Sequence, residues 1–145
     1  MMVRDDMLLQ WQDAFSVGHQ QLDAEHRRLL DTINAVHEAE IGGDTIHTVR
    51  LLNDLHLMAM EHFRHENALL SEIIAGAYPG PAACMSETIA NEHRAEHARA
   101  LIALESLLRR HGLGREKNLA LHLTNWFVGH ATDQDARLRS YFQPA

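Results

Sequence analysis

Helical periodicity dominates this chain and limits the folds that are open to it. Apolar residues recur at spacings of three and four, as between Leu29 and Ile33, which places them on one face of an α-helix. Sustained apolar–polar alternation, the pattern of a half-buried strand, is nearly absent. Glycine and proline interrupt the helical pattern at Gly42–Gly43, at residues 76–81 and at Gly112, so four separate helices are predicted.

The predicted helices span about residues 19–41, 44–75, 83–111 and 115–142, after an arm over about residues 1–18. Short connections favour antiparallel neighbours, so we expect an all-α, up-down-up-down four-helix bundle with an N-terminal arm. Trp11 and Phe15 give the arm two aromatic side chains that can pack over the bundle. A length of 145 residues suits one buried core, and residues 1–145 are interpreted as a single domain.

Histidine is unusually frequent, with twelve in the chain, and five of them lie on the predicted apolar stripes. These five are His26 on the first helix, His62 on the second, His93 and His97 on the third, and His130 on the fourth. Each helix of a bundle turns its stripe towards the common axis, so the five imidazoles can converge. A buried imidazole needs a hydrogen-bond partner or a metal ion. One such histidine would ordinarily be a hydrogen-bonded core residue, whereas five together favour a metal site.

Two of the stripes hold a second possible ligand one helical turn from a histidine. Glu66 follows His62 by four residues, and His97 follows His93 by four, so each pair projects from one helix face. Imidazole and carboxylate ligands without cysteine thiolate suit iron, zinc, manganese or copper.

The fourth helix offers two carboxylates after His130. Asp133 follows that histidine by three residues and Asp135 by five. Helical spacing alone favours Asp133, because five residues turn a side chain roughly 140° away.

Motifs and composition exclude several classes of protein. No H-E-x-x-H or Glu-x-x-His sequence is present, which excludes a zincin protease and the ferritin-like di-iron pattern. A net charge of −7 argues against a nucleic-acid partner, and no apolar run approaches the roughly 18 to 20 residues of a membrane span. A single cysteine, Cys84, excludes a disulfide scaffold. Residues 1–10 lack the basic-then-apolar pattern of a secretory signal, so a cytoplasmic location is expected.

The order of these residues resembles the hemerythrin family, and specifically the single-domain bacterial hemerythrins. That family combines an N-terminal Trp and a Gly before the first helix with four ordered motifs: Asp-x-x-His, His-Phe-x-x-Glu, His-x-x-x-His, and Trp-x-x-x-His with an Asp five residues later. This chain supplies them as Trp11, Gly18, Asp23 with His26, His62-Phe63 with Glu66, His93 with His97, and Trp126 with His130 and Asp135. Each motif alone is weak, whereas the ordered set is specific.

The resemblance implies a metal-binding bundle that holds two iron ions joined by an oxo or hydroxo bridge. By position, one iron falls to His93, His97 and His130, the other to His26 and His62, and the bridging carboxylates are Glu66 and Asp135. The resemblance therefore selects Asp135 where helical spacing favours Asp133, and a local distortion of the fourth helix is then expected.

In function, the resemblance implies reversible dioxygen binding for storage, transport or delivery at a non-haem di-iron centre, without enzymatic activity. Two alternatives stay open. One is a module that senses O₂, nitric oxide or redox state through a partner, and the other is a peroxidase-like di-iron enzyme. We expect a monomer, with weak oligomerisation as the alternative, and no nucleic-acid or membrane partner.

Two positions depart from the usual family sequence. Many members have a second Glu after the bridging one, where this chain has Asn67. Many also have a bulky aliphatic residue after the fourth-helix histidine, where this chain has Ala131, and the smaller side chain is expected to widen the ligand pocket. Seven histidines outside the ligand set are interpreted mainly as solvated residues, with His19 and His65 near enough in sequence to support the site: His19, His37, His47, His56, His65, His111 and His122.

Overall fold

Helices account for most of the structure, a computed structural model that describes residues 8–76, 86–112, 118–134 and 138–142. The helices are α1 (Gln20–Ile41), α2 (Thr45–Ile74), α3 (Glu87–Gly112), α4 (Leu119–Gly129) and the short α5 (Arg139–Phe142), with a 3₁₀ turn at Asp13–Phe15. Those described ranges contain no β-strand. Nor do they contain a helix long and apolar enough to cross a membrane.

Side-chain caps define where three of the helices begin. The His19 imidazole accepts a hydrogen bond from the Leu22 N–H at the start of α1, 3.3 Å away. Asp44 caps α2 and Ser86 caps α3 in the same way, because each side chain accepts the N–H three residues later. Between α1 and α2 the backbone turns through Gly43 at a φ of +70°, a conformation that favours glycine.

The helices pack as neighbours around a single axis, α1 against α2 and α4, and α3 against α2 and α4. The predicted all-α four-helix bundle is therefore confirmed. The largest group of buried apolar side chains fills the axis and includes Leu29, Ile33, Leu55, Leu104 and Leu123.

The fourth helix differs from the single α-helix expected over about residues 115–142. The α-helical part ends at Gly129, and a π-helical segment follows at His130–Gln134. Within this segment the Thr132 hydroxyl donates to the Val128 carbonyl at 2.6 Å. A hydroxyl bond of this i→i−4 type gives a carbonyl of the helical ladder a second donor and often bends a helix.

The N-terminal arm lies against the bundle, as expected. Phe15 is buried, and its ring meets Phe127 edge-on with 5.2 Å between the centroids. The Asn34 side chain binds both the N–H and the carbonyl of Leu9, at 2.9 and 2.6 Å. Asp23 accepts hydrogen bonds from the Ser16 hydroxyl and the Val17 N–H, at 2.6 and 2.8 Å, which ties the arm to the first turn of α1.

Candidate metal centre

The carboxylate of Glu66 stands at the centre of the buried polar cluster. Its side chain on α2 is 0% exposed. One oxygen, Oε1, lies against Nε2 of His62, 3.2 Å from Nε2 of His130 and 4.0 Å from Nε2 of His26. The other oxygen, Oε2, lies 3.0 Å from Nε2 of His97. Glu66 therefore faces histidines on both sides, as a bridging ligand would.

Two helices and the π-helical segment bring four of the predicted ligands together. His26 comes from α1, His62 and Glu66 from α2, and His130 from the first residue of the π-helical segment. Their candidate ligand atoms all lie within 4.8 Å of one another, which makes this the one compact metal-binding group among the described residues.

The two α3 histidines flank this compact group. His93 and His97 are both almost fully buried, and their ring centroids are 6.4 Å apart. The His130 ring lies between the two sides, 5.9 Å from the His97 centroid and 5.1 Å from that of His62. His97 thus meets the compact group directly, and His93 lies one helical turn away from His97 on α3.

In three of the imidazole rings, a hydrogen bond at the nitrogen that points away from the cluster fixes which nitrogen faces inwards. Nδ1 of His26 donates to the Phe15 carbonyl, Nδ1 of His62 to Oε1 of Glu25, and Nδ1 of His97 to Oδ1 of Asn67, each at 2.7 Å. A ring that carries its proton on Nδ1 leaves a lone pair on Nε2. All three Nε2 atoms therefore face the cluster, and in the neutral ring each offers it a lone pair, as metal-binding histidines do.

Sequence reasoning did not find these outer partners. Glu25 precedes His26 in sequence but binds His62, and it also contacts His65, one of the histidines noted as a possible supporting group. Adjacency is the only sequence signal for Glu25 and for Asn67. It indicates no contact, since neighbours on a helix point about 100° apart.

The electrostatics of the cluster favour a positive charge beside Glu66. Burial alone would raise the pKa of Glu66, but its electrostatic interactions with His62 and His130 and their hydrogen bonds hold that pKa well below its ordinary value. Burial opposes ionisation of Glu25 as well, yet hydrogen bonds from His62 and His65 lower its pKa. Both carboxylates are therefore anionic at neutral pH and stabilise cationic surroundings.

The contact between His97 and Glu66 fits a metal ion. Nε2 of His97 and Oε2 of Glu66 lie 3.0 Å apart, but the pair lacks hydrogen-bond geometry. Two lone-pair atoms at such a distance in a buried site repel each other, whereas a cation shared between them removes the repulsion. The donor set of imidazole nitrogens and carboxylate oxygens is the one that iron and similar ions accept.

Aromatic side chains enclose the cluster. Phe63 stacks on the His97 ring, with 4.9 Å between centroids and an interplanar angle of 21°. Phe127 meets the His26 ring edge-on at 5.8 Å. Ala131 is completely buried in the same core, against which Val128 and Leu101 are partly buried. This apolar shell limits the access of water to the site.

The aspartate expected as the seventh ligand, Asp135, lies outside the described residues, as does the side chain of Asp133. The backbone before Asp135 nevertheless has the kind of distortion that the family resemblance requires. A π-helix bonds residue i to residue i+5, so the backbone from His130 to Gln134 departs from the α-helical geometry on which the preference for Asp133 rested.

Comparison with known proteins finds relatives of this chain by sequence. No family model matches the chain. A bacteriohemerythrin of Pseudomonas paraeruginosa is 30% identical over 64 residues, which is 44% of this chain and 42% of that protein. A bacteriohemerythrin of Stenotrophomonas maltophilia is 29% identical over 65 residues, 45% of this chain and 42% of that protein. The match thus spans less than half the length of these curated relatives.

A solved structure gives the fold comparison. A crystal structure of a leucine-to-phenylalanine mutant superposes with a TM-score of 0.75 and 19% identity, over 94% of this chain and 98% of that one. At this identity the match bears on the fold alone. The sequence matches confirm the resemblance that the ordered motifs predicted: this chain is similar to the bacteriohemerythrins.

Proposed function

We propose that this protein binds dioxygen reversibly at a non-haem di-iron centre. The observation that carries the proposal is the buried convergence of His26, His62, Glu66 and His130, whose ligand atoms lie within 4.8 Å of one another. A polar cluster of this kind is costly in a protein core unless it holds a cation. The similarity to bacteriohemerythrins supports iron as that cation.

In the proposed centre, His93, His97 and His130 would hold one iron, His26 and His62 would hold the other, and Glu66 and Asp135 would be the carboxylates shared between them. When bound, the ferrous pair supplies electrons and one open coordination position for dioxygen. The chain itself orients the imidazoles. The Phe15 carbonyl, Glu25 and Asn67 keep the Nε2 lone pairs of three histidines directed inwards.

The apolar side chains around the proposed centre favour reversible binding of dioxygen. Phe63, Phe127 and Ala131 surround the imidazoles with side chains that offer no proton and no hydrogen bond. Neutral dioxygen can enter such a pocket without desolvation of a charge, whereas water and ions are disfavoured. A carrier, rather than an enzyme, is the function that this enclosure supports best.

Anaerobic reconstitution with ferrous iron tests the proposal. We expect two irons per chain and, on exposure to air, a charge-transfer absorption band that disappears when oxygen is removed and returns when it is readmitted. The variant Glu66→Ala should lose iron, because it removes the bridging carboxylate. The variant His47→Ala, which removes an exposed histidine of the same helix, should bind iron and oxygen as the native protein does.

The alternatives predict different outcomes. Irreversible oxidation in the first cycle would contradict the carrier proposal and favour a sensor or a peroxidase-like enzyme. A centre that binds one metal ion, or none, would contradict the di-iron assignment. The cytoplasmic location and the monomeric state remain predictions, which cell fractionation and light scattering can test.

A further inference from the structure

The group that accepts the hydrogen bond from Nδ1 of His97 differs in chemical type from the groups that accept those of His26 and His62. Nδ1 of His26 faces a backbone carbonyl, and Nδ1 of His62 faces a carboxylate. Nδ1 of His97 instead lies 2.7 Å from the side-chain amide oxygen of Asn67. A single neutral side chain therefore sets the orientation of this ring from outside.

Packing alone does not decide which nitrogen of His97 faces the centre. The ring stacks on Phe63 with an interplanar angle of 21°. A half-turn of the imidazole about its bond to Cβ exchanges nitrogen and carbon positions but leaves the ring plane unchanged. The stacking contact is therefore similar in both orientations, whereas the bond to Asn67 exists in only one of them.

Asn67 also stands at the boundary between the site and the surface. It lines an open cavity of about 290 Å³ between α2 and α3, together with Phe63, Arg94 and His97 itself. Without an acceptor at this position, water in the cavity would be the remaining partner for Nδ1. A mobile water molecule fixes a ring less firmly than a side chain anchored on a helix does.

We propose that Asn67 is the positioning residue for His97. Its oxygen holds the ring proton on Nδ1, and the Nε2 lone pair is thereby directed at the space beside Oε2 of Glu66. This inference rests on the proposed function, because it treats His97 as a metal ligand. It goes beyond that function by assigning a role to a residue outside the ligand set.

The first test measures the proton position in the metal-free protein. Nitrogen-15 NMR, recorded at a pH where the His97 ring is neutral, should show the His97 proton on Nδ1. Asn67→Leu removes the acceptor at similar size and should mix the two proton positions. Asn67→Asp keeps an acceptor and should restore the Nδ1 form. Asn53→Ala, an exposed asparagine on the same helix, should leave the His97 spectrum unchanged.

The second test measures zinc affinity of the same metal-free variants by competition with a chelator. Loss of an outer partner of this kind typically weakens metal binding about tenfold or more, so we expect that loss for Asn67→Leu but not for Asn67→Asp. A native His97 that carries its proton on Nε2 would overturn the inference, and so would unchanged zinc affinity in Asn67→Leu. Should that variant fail to fold, the native and Asn67→Asp spectra still decide the proton position.

The two proposals can fail separately. Suppose that His97 carries its proton on Nδ1 in the native protein and loses this preference in Asn67→Leu, but that reconstituted protein never binds oxygen. The positioning role then stands and the carrier function is wrong. If oxygen binds reversibly while Asn67→Leu matches the native protein in both measurements, the carrier function stands and the positioning role is wrong.

Discussion

Glu25 connects a predicted ligand histidine to the surface of the bundle. Its carboxylate is 6% exposed and binds Nδ1 of His62, while His65, at 28% exposed, contacts it from the solvent side. A buried carboxylate that accepts hydrogen bonds from two imidazoles stabilises the fold only while it is ionised. Its contribution to stability should therefore depend on pH.

The sign of that dependence follows from the lowered pKa of Glu25. A carboxyl whose pKa is lower in the folded than in the unfolded chain stabilises the fold above the unfolded pKa, and the contribution is lost as the pH falls through the folded pKa. We expect Glu25→Gln to lower the unfolding free energy of the metal-free protein by about 1–3 kcal/mol at neutral pH. The difference from native protein should shrink below about pH 4.

Urea unfolding followed by circular dichroism across this pH range measures the effect. Glu61→Gln provides the control, because Glu61 also contacts His65 but is 52% exposed and should contribute little. A loss of stability in Glu25→Gln that stayed constant down to about pH 3 would refute this account.

At the scale of the element, the π-helical segment contains both a local side-chain hydrogen bond and a predicted ligand, His130. Thr132 donates to the Val128 carbonyl at 2.6 Å in the segment that begins with His130. Thr132→Val removes the hydroxyl at nearly constant shape and should favour regular α-helical winding. We expect a loss of about 1 kcal/mol in stability and weaker metal binding at the proposed centre, because regular α-helical winding turns a residue five positions after His130 roughly 140° away from it.

Thr124→Val is a matched control for this change. The Thr124 hydroxyl makes the same bond to the Ala120 carbonyl, at 2.9 Å, within regular α4 and away from the centre. Both variants should lose similar stability by urea unfolding, while only Thr132→Val should lose zinc affinity. Equal zinc affinity in the two variants would show that the winding does not matter to the site.

The elements that sequence predicts well are those set by periodicity. Apolar spacing located the four helices and put His26, His62, His93, His97 and His130 on inward faces, because side-chain direction on a helix follows from backbone geometry. The π-helical segment was not predictable in the same way, because the side-chain bond that Thr132 makes within it is also made by Thr124 within a regular α-helix. The contact of Glu25 with His62 was not predictable either, because it depends on how α1 and α2 are placed.

At the scale of the whole molecule, the arm is held by a few specific bonds. The Asn34 side chain binds both the backbone N–H and the carbonyl of Leu9. Arg139 donates to the carbonyls of Ser16 and Ala14, each at 3.0 Å.

We expect Asn34→Ala to lower the unfolding free energy by about 2 kcal/mol, because two buried backbone groups lose their partner. Limited proteolysis should cut the arm of this variant faster than that of Asn125→Ala, which changes an exposed residue. Equal cleavage rates would contradict this role for Asn34.

The carbonyl of Phe15 belongs to the arm, and the imidazole that it orients, His26, belongs to the site. Arm docking and ion binding are therefore reciprocal equilibria. Whatever factor the docked arm adds to the affinity for a metal, the bound metal adds to the preference for the docked arm. An ion bound at His26 would thus raise, at the surface of the bundle, the fraction of molecules whose arm is docked.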